Sequence, residues 1–342
     1  LCVIFFSIFA VKVVFNGLIL KVINIELATS FKRLLFLFMY RKSFYSNGKL
    51  LLTAEYLVMD GAKAIALPTV FGQYLDVEQN NSEIISWKSY DYDRSVWIDV
   101  VFSFSEIIEK TFVGENTLVN RLIEILHQTH LLSPYFLSKN KGYKIETRLT
   151  FPIKWGLGSS STLINNIAKW QAINPYQLLK NTFGGSGYDI ACAENNTAIL
   201  FCLKDEIPFV KAISFNPKFS ESLYFVYLNK KQNSREAIAQ YRKRQINIDE
   251  IIPKINQITN EIQKIKSLAE FAYLLEEHEQ IMSKILDLPT IKKRFFSDFE
   301  GVIKSLGAWC GDFVLVVAPK NPTQYFRQKG LETILSYKKM IL

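Results

Sequence analysis

The sequence predicts an α+β fold, and three features point to it. Residues 143, 145, 147, 149 and 151 are Tyr, Ile, Thr, Leu and Phe, with Lys144, Glu146, Arg148 and Thr150 between them. This period-two alternation marks a half-buried strand. Ile252, Ile255, Ile258, Ile262 and Ile265 line one face of an amphipathic helix, and the pattern continues over 268–286. Short apolar runs at 223–228 and 313–318 read as further strands. Strands and helices are mixed, and their order alone does not name the fold.

Taken in chain order, segment 43–77 reads as strands with a turn around Asp60-Gly61. Residues 102–130 read as mostly helical, with Leu118, Leu122, Ile125 and Leu126 at helical spacing. The strand at 143–151 then feeds Pro152-Ile153-Lys154-Trp155-Gly156-Leu157-Gly158-Ser159-Ser160-Ser161-Thr162. Leu163, Ile164, Ile167, Ala168 and Trp170 restart a helical pattern. A second glycine-rich turn and helix occupy 184–193, and Pro217 marks a boundary.

The length of 342 residues and the 49% apolar content suffice for one large or two modest domains. Charged residues at 21% argue against disorder. The net charge is +9, to which Lys12, Lys21, Lys32 and Arg33 against Glu26 contribute +3. The rest is a modest positive field that suits small anionic substrates. Basic clusters at Lys230-Lys231, Arg242-Lys243-Arg244 and Lys292-Lys293-Arg294 are short and lack interleaved aromatics. They read as solvated surface, so no nucleic acid partner is expected. Cysteines at 2, 192, 202 and 310 form no Cys-x-x-Cys pair, which argues against a disulfide framework or a structural zinc site. The three histidines, His127, His130 and His278, leave little material for a Ser-His-Asp hydrolase.

The first 38 residues are apolar but end their longest uncharged run after eleven residues, at Lys12. That is too short to span a bilayer, and no basic segment precedes it. The first methionine is Met39. The expectation is that residues 1–38 are not part of the folded, working protein; the alternative is a membrane-associated leader.

A glycine-rich turn that opens a helix leaves backbone N–H groups unpaired at the positive end of the helix dipole, which suits phosphate. Read alone, the run at 156–161 fits a phosphate cradle or a plain loop with a serine N-cap equally well. It is neither a Walker loop nor the dinucleotide fingerprint.

Three segments in order settle the comparison. Lys49 precedes Glu55-Tyr56 by six residues; Pro152 to Ser160 fits Pro-x-x-x-Gly-Leu-Gly-Ser-Ser; and Lys304 to Asp312 partly fits a third glycine turn. Gly187-Tyr188-Asp189-Ile190-Ala191 adds a signature of one branch. Together they resemble the GHMP kinases, in particular mevalonate and phosphomevalonate kinases, over essentially everything after residue 40. The resemblance implies two α+β lobes, at 39–216 (nucleotide-binding) and 217–342, with the active site in the cleft between them. It implies a cytoplasmic enzyme that uses ATP and Mg2+ on a small-molecule acceptor, with a homodimer as one candidate assembly.

By the same resemblance, Gly156, Leu157, Gly158, Ser159, Ser160 and Ser161 cradle the triphosphate, and Ser160 ligates magnesium. Asp189 orients or deprotonates the acceptor, with an N-cap as its structural alternative, and Lys49 stabilises developing charge. Glu55, Tyr56, Ser234, Arg235, Gly307 and Ala308 are candidate acceptor contacts. Two departures stand out. The stretch Tyr176-Gln177-Leu178-Leu179-Lys180 has no carboxylate where mevalonate kinases carry a magnesium-binding glutamate, and Trp309 stands where the third turn usually has glycine. The expected reaction is phosphoryl transfer to mevalonate or phosphomevalonate. Homoserine or sugar kinases, and a non-catalytic ligand-binding relative, are the alternatives.

Overall fold

A computed structural model describes residues 41–342 apart from Asn116, Cys310 and positions 231–233 and 245–246. The expected leader, 1–38, therefore lies outside the described residues, as do the side chains of Ser234 and Arg235.

The first sheet has seven strands: β1 (Arg41–Leu51), β2 (Ala64–Asn80), β3 (Ile84–Tyr90), β4 (Val96–Ser103), β5 (Gly142–Leu149), β6 (Ile199–Lys204) and β7 (Ile207–Ala212). Their order is β4-β3-β5-β2-β6-β7, with β1 also paired to β2. Strand β2 is the hub. Its residues 73–78 pair β1 and β5 at once, so these two lie on opposite edges. Only β3 and β5 run parallel; the other pairings are antiparallel. The second sheet holds β8 (Leu223–Tyr227), β9 (Val302–Ser305), β10 (Phe313–Val317) and β11 (Ile334–Ser336), in the order β11-β8-β10-β9. The chain passes from one sheet to the other over 213–222, where Pro217 lies.

The alternation in β5 does what a pleat requires. Tyr143, Ile145, Thr147 and Leu149 are buried, while Lys144 and Arg148 are exposed. Tyr143 and Ile145 of that face join Leu75, Ile85 and Trp87 and are covered by Leu122, Ile125 and Leu126 of the helix Thr117–Leu132, while Leu149 joins the other core. Leu118 is instead 54% exposed, and Val119 and Ile123 fill the helix's inner face. The expectation of helix from 102 is corrected: β4 continues through Ser103, which then caps the short helix Phe104–Ile108. Ser103 and Glu106 form a capping box, so the start of that helix is fixed by side chains rather than by the apolar pattern.

The other core does not stop at the junction of the sheets. Ile255, Ile258 and Ile262 of the helix Ile248–Ile262, and Phe271, Leu275 and Met282 of the helix Leu268–Leu286, pack with β8 and β10. The same cluster takes in Leu50–Leu52, Ala64–Leu67, Ile199 and Phe201 from the first sheet. Among the described residues no helix is long and apolar enough to cross a membrane.

Candidate active site

The serine loop follows β5 through one turn of 3-10 helix, Ile153–Trp155. Gly156 and Gly158 both adopt positive φ, at 69° and 94°. The helix Ser159–Gln171 starts immediately afterwards with Gly158 as its N-cap and no side chain capping it. The serine N-cap alternative is thereby excluded: the serines lie inside the first turn, and their amides face outward without a capping side chain. Ser160 is exposed, Ser159 half-buried and Ser161 buried, its hydroxyl donating to Gly158 O at 2.9 Å.

A buried polar network holds the back of this helix on the sheet. Thr162 Oγ1 donates to Gln73 Oε1 at 2.7 Å, and Ser46 Oγ donates to Asn166 Oδ1 at 2.7 Å. Asn165 Nδ2 donates to Ser46 Oγ at 2.9 Å, and Asn166 Nδ2 to Gln73 O at 2.9 Å. Buried polar groups partnered in this way fix one geometry, because any displacement leaves desolvated groups unpaired.

Strand β1 brings Lys49 to the loop. The register shifts between Asn47 and Lys49, and a Cβ on Gly48 would lie 2.6 Å from Thr69 Oγ1 and 2.9 Å from Leu157 O. Glycine is needed there so that the loop can lie against the strand. Lys49 N–H then donates to Leu157 O at 2.9 Å, and Lys49 Nζ to Gly156 O at 3.2 Å.

The second glycine turn ends at Gly187, which has φ 87° and is the N-cap of the helix Tyr188–Glu194. Asp189 is therefore the second residue of the helix and not its cap. Its Oδ1 accepts the Ile190 N–H at 3.0 Å. Burial raises the pKa of Asp189, while Lys49, backbone N–H groups and the Ser161 hydroxyl pull it back. Burial works to lower Lys49, but the Tyr188 phenol and the carboxylates of Asp312 and Asp189 outweigh it, so its pKa is raised. Lys49 Nζ lies 5.8 Å from the Tyr188 ring centroid, and burial together with Asp189 pushes the phenol up to about 12 against the pull of Lys49. Lys49 thus sits against the serine loop with its charged form favoured by Tyr188, Asp312 and Asp189.

Asp312 is the site residue that sequence reasoning passed over. A Cβ on Gly156 would lie 2.2 Å from Asp312 Oδ2, so the carboxylate rests directly on the loop. Its backbone is fixed by Asp312 N to Lys230 O at 2.9 Å and Leu228 N to Asp312 O at 2.8 Å. The Gly311-Asp312 pair is visible in the third turn, but no local pattern says that it meets Gly156.

The expected acceptor contacts divide. Glu55 is corrected: it is 1% exposed and bonded to Lys304, so it cannot face a substrate. Tyr56 is also enclosed; its hydroxyl accepts the Trp309 N–H at 2.8 Å and its ring stacks on Tyr241 at 5.3 Å. Ala308 and Trp309 are buried, while Gly307 is half-buried and open on its Cβ side. Ser234 begins the helix Ser234–Arg242, and the side chains of Ser234 and Arg235 lie outside the described residues.

Among the described residues, no cluster of three or more His, Cys, Asp or Glu forms a metal site. The helix Pro175–Thr182 carries no carboxylate; its Tyr176 packs against Gly187, where a Cβ would lie 2.9 Å from Tyr176 Cδ1. The exposed Ser160 hydroxyl beside open amides fits a magnesium ion held mainly by phosphate oxygens and water, which is how that ion is usually bound.

No protein-family model matches the chain, and no curated protein sequence is similar to it. Solved structures do match. Mevalonate kinase from Methanococcus jannaschii aligns with TM-score 0.62 and 18% identity over 86% of this chain and 97% of the other. Phosphomevalonate kinase from Streptococcus pneumoniae, in complex with phosphomevalonate and AMPPNP, gives 0.62 and 14% over 86% and 99%. Galactokinase from Lactococcus lactis, complexed with galactose, gives 0.60 and 15% over 84% and 88%. The mixed α+β architecture, with its two sheets, is thus the fold of the GHMP kinases that the motifs led us to expect.

Proposed function

We propose that this protein transfers the terminal phosphoryl group of ATP to a small-molecule acceptor, with mevalonate or phosphomevalonate the leading candidates. One observation carries the reading: Lys49 Nζ bonds Gly156 O, just ahead of the uncapped helix at Ser159, and it acts electrostatically on the Asp189 carboxylate. Phosphoryl transfer needs a triphosphate cradle, a fixed cation and an oriented acceptor. The amides of Ser159, Ser160 and Ser161 bind the phosphate oxygens. Lys49 Nζ, already aimed at the loop, neutralises charge that builds on the transferred group. Asp189 accepts the acceptor's hydroxyl proton; its raised pKa makes it a better base than an exposed aspartate. With an acceptor that is already a phosphate, Asp189 would only orient. Magnesium, bound with the nucleotide, supplies further positive charge, with Ser160 as its protein ligand. In this reading residues 39–216 form the nucleotide-binding lobe, 217–342 the second lobe, and the reaction takes place in the cytoplasm.

Kinases of mevalonate, phosphomevalonate and galactose share this fold, which supports a small-molecule acceptor. The absence of a carboxylate on the helix Pro175–Thr182 favours a second reading, a nucleotide-binding relative without turnover. ADP release by the full chain with magnesium, against mevalonate, phosphomevalonate, homoserine and galactose, separates them. ADP formed with one acceptor supports the kinase. Nucleotide binding with no ADP from any of the four supports the second reading.

A further inference from the structure

Four ionisable side chains that the proposed reaction does not use meet beneath the third glycine turn. Glu55, His278, Glu279 and Lys304 are all at most 2% exposed. Lys304 Nζ bonds Glu55 Oε1 and donates to Ser305 O at 2.9 Å, with Glu279 Oε1 3.8 Å away. His278 Nε2 accepts the Ala54 N–H at 2.9 Å and lies 3.4 Å from Glu55 Oε2. An accepting Nε2 carries no proton, and burial and the nearby Lys304 hold the imidazole neutral. Burial pushes the Glu279 carboxyl up to about 8, against the pull of Lys304, so it is mostly protonated at pH 7. The pair that bonds directly is Glu55 and Lys304; burial raises the Glu55 carboxyl, and Lys304 pulls it back.

A buried ion pair is poor stabilisation, since desolvation offsets most of the attraction. Its value here is directional. Ala54 and Tyr56 flank Glu55 in left-handed conformations, φ 64° and 63°, which non-glycine residues rarely adopt. That strained turn sends Glu55 to Lys304, at the base of the third turn, and the Tyr56 hydroxyl to the Trp309 amide, near its tip. The turn is thus held at two points, and its end, Asp312, rests on Gly156 of the serine loop.

We infer that the Glu55–Lys304 pair is a positioning latch that sets the third glycine turn, and with it Asp312, against the serine loop. Its catalytic consequence rests on the kinase reading; its geometric consequence does not. Neither residue touches a reacting atom, so both act through the turn.

The test uses the full chain labelled with 5-fluorotryptophan, with the Trp309 resonance identified by its loss in Trp309→Phe. Glu55→Gln keeps the shape and removes one charge; Glu55→Gln with Lys304→Met removes both. The expected result is a shifted or broadened Trp309 resonance with those of Trp87, Trp97 and Trp170, which lie in the other core, unmoved. ADP release should fall by roughly 10- to 100-fold, as misplaced site groups cause, with the melting point of the double variant close to wild type. If Glu55→Gln and the double variant both leave the Trp309 resonance in place, the latch is refuted. If the double variant fails to fold, Glu55→Gln alone decides by the same resonance. A moved resonance in a protein that forms no ADP with any acceptor upholds the latch and removes the kinase reading.

Discussion

Replacing Asp189 by asparagine tests the centre of the mechanism, because shape and charge separate there. The asparagine oxygen can still accept the Ile190 N–H that Asp189 Oδ1 accepts at 3.0 Å. What disappears is the negative charge facing Lys49 and the ability to take a proton. If Asp189 is a general base, turnover should fall by about 10²–10⁴, or roughly 2.7–5.5 kcal/mol of barrier. Stability should move the other way. Burial raises the Asp189 pKa, so the ionised form is worse off in the folded than in the unfolded protein. Such a group removes stability as pH rises from its unfolded value through its folded one. The uncharged amide escapes that loss, so at pH 7 Asp189→Asn should melt at or above the wild-type temperature. ADP release and thermal melting, both at pH 7, read the two effects. Turnover within about threefold of wild type would eliminate the base, far short of the range expected for one. Lost turnover with a melting point lower by about 5 °C or more would mean a damaged fold.

The same geometry sets three other outcomes. Ser160→Ala should raise the magnesium concentration needed for half-maximal ADP release, and an unchanged titration would remove Ser160 as a ligand. Gly48→Ala places a Cβ 2.6 Å from Thr69 Oγ1 and 2.9 Å from Leu157 O, the second a backbone atom that cannot swing away. Overpacking of this kind costs about 1–3 kcal/mol; a urea midpoint that does not fall would show that the loop can retreat. Glu279 has its folded pKa raised from 4.5 to about 8, so it draws stability away as pH climbs through that window. The melting-point advantage of Glu279→Gln over wild type should therefore grow between pH 5 and pH 8, and a constant difference would place Glu279 outside this linkage.

What is legible in the sequence is whatever depends on near neighbours. The alternation of β5 survives because the pleat repeats every two residues, whatever packs on it. The run Gly156 to Ser161 announces a turn into a helix by glycine and serine alone. Even there the register escapes: three consecutive serines offer three cap positions, and the chain caps with Gly158 instead. The hairpin of β3 and β4 leaves too weak a local signal, and the apolar residues near its end read as helix. Long-range pairings are illegible in principle. Glu55 meets Lys304 across 249 positions, and no local pattern distinguishes a buried partner from a substrate contact. Asp312 escapes for the same reason.

The bonding of Lys49 explains why these distant pieces must meet so closely. A lysine hydrogen-bonded to a carboxylate is largely neutralised before any substrate arrives. Lys49 Nζ donates instead to a carbonyl, Gly156 O at 3.2 Å, and the carboxylates of Asp189 and Asp312 act on it through space. An ammonium has three donors, so the bond to Gly156 aims the group and leaves others for an incoming phosphate. The Tyr188 phenol and the two carboxylates keep the ammonium protonated despite its partial burial, and the carboxylates would repel a phosphate that approached without it. Binding and charge balance are thus joined in one side chain. Moving the third turn would change the field at Lys49 through Asp312 as surely as a substitution at Asp189 would, which makes the buried pair beneath that turn part of the site's electrostatics.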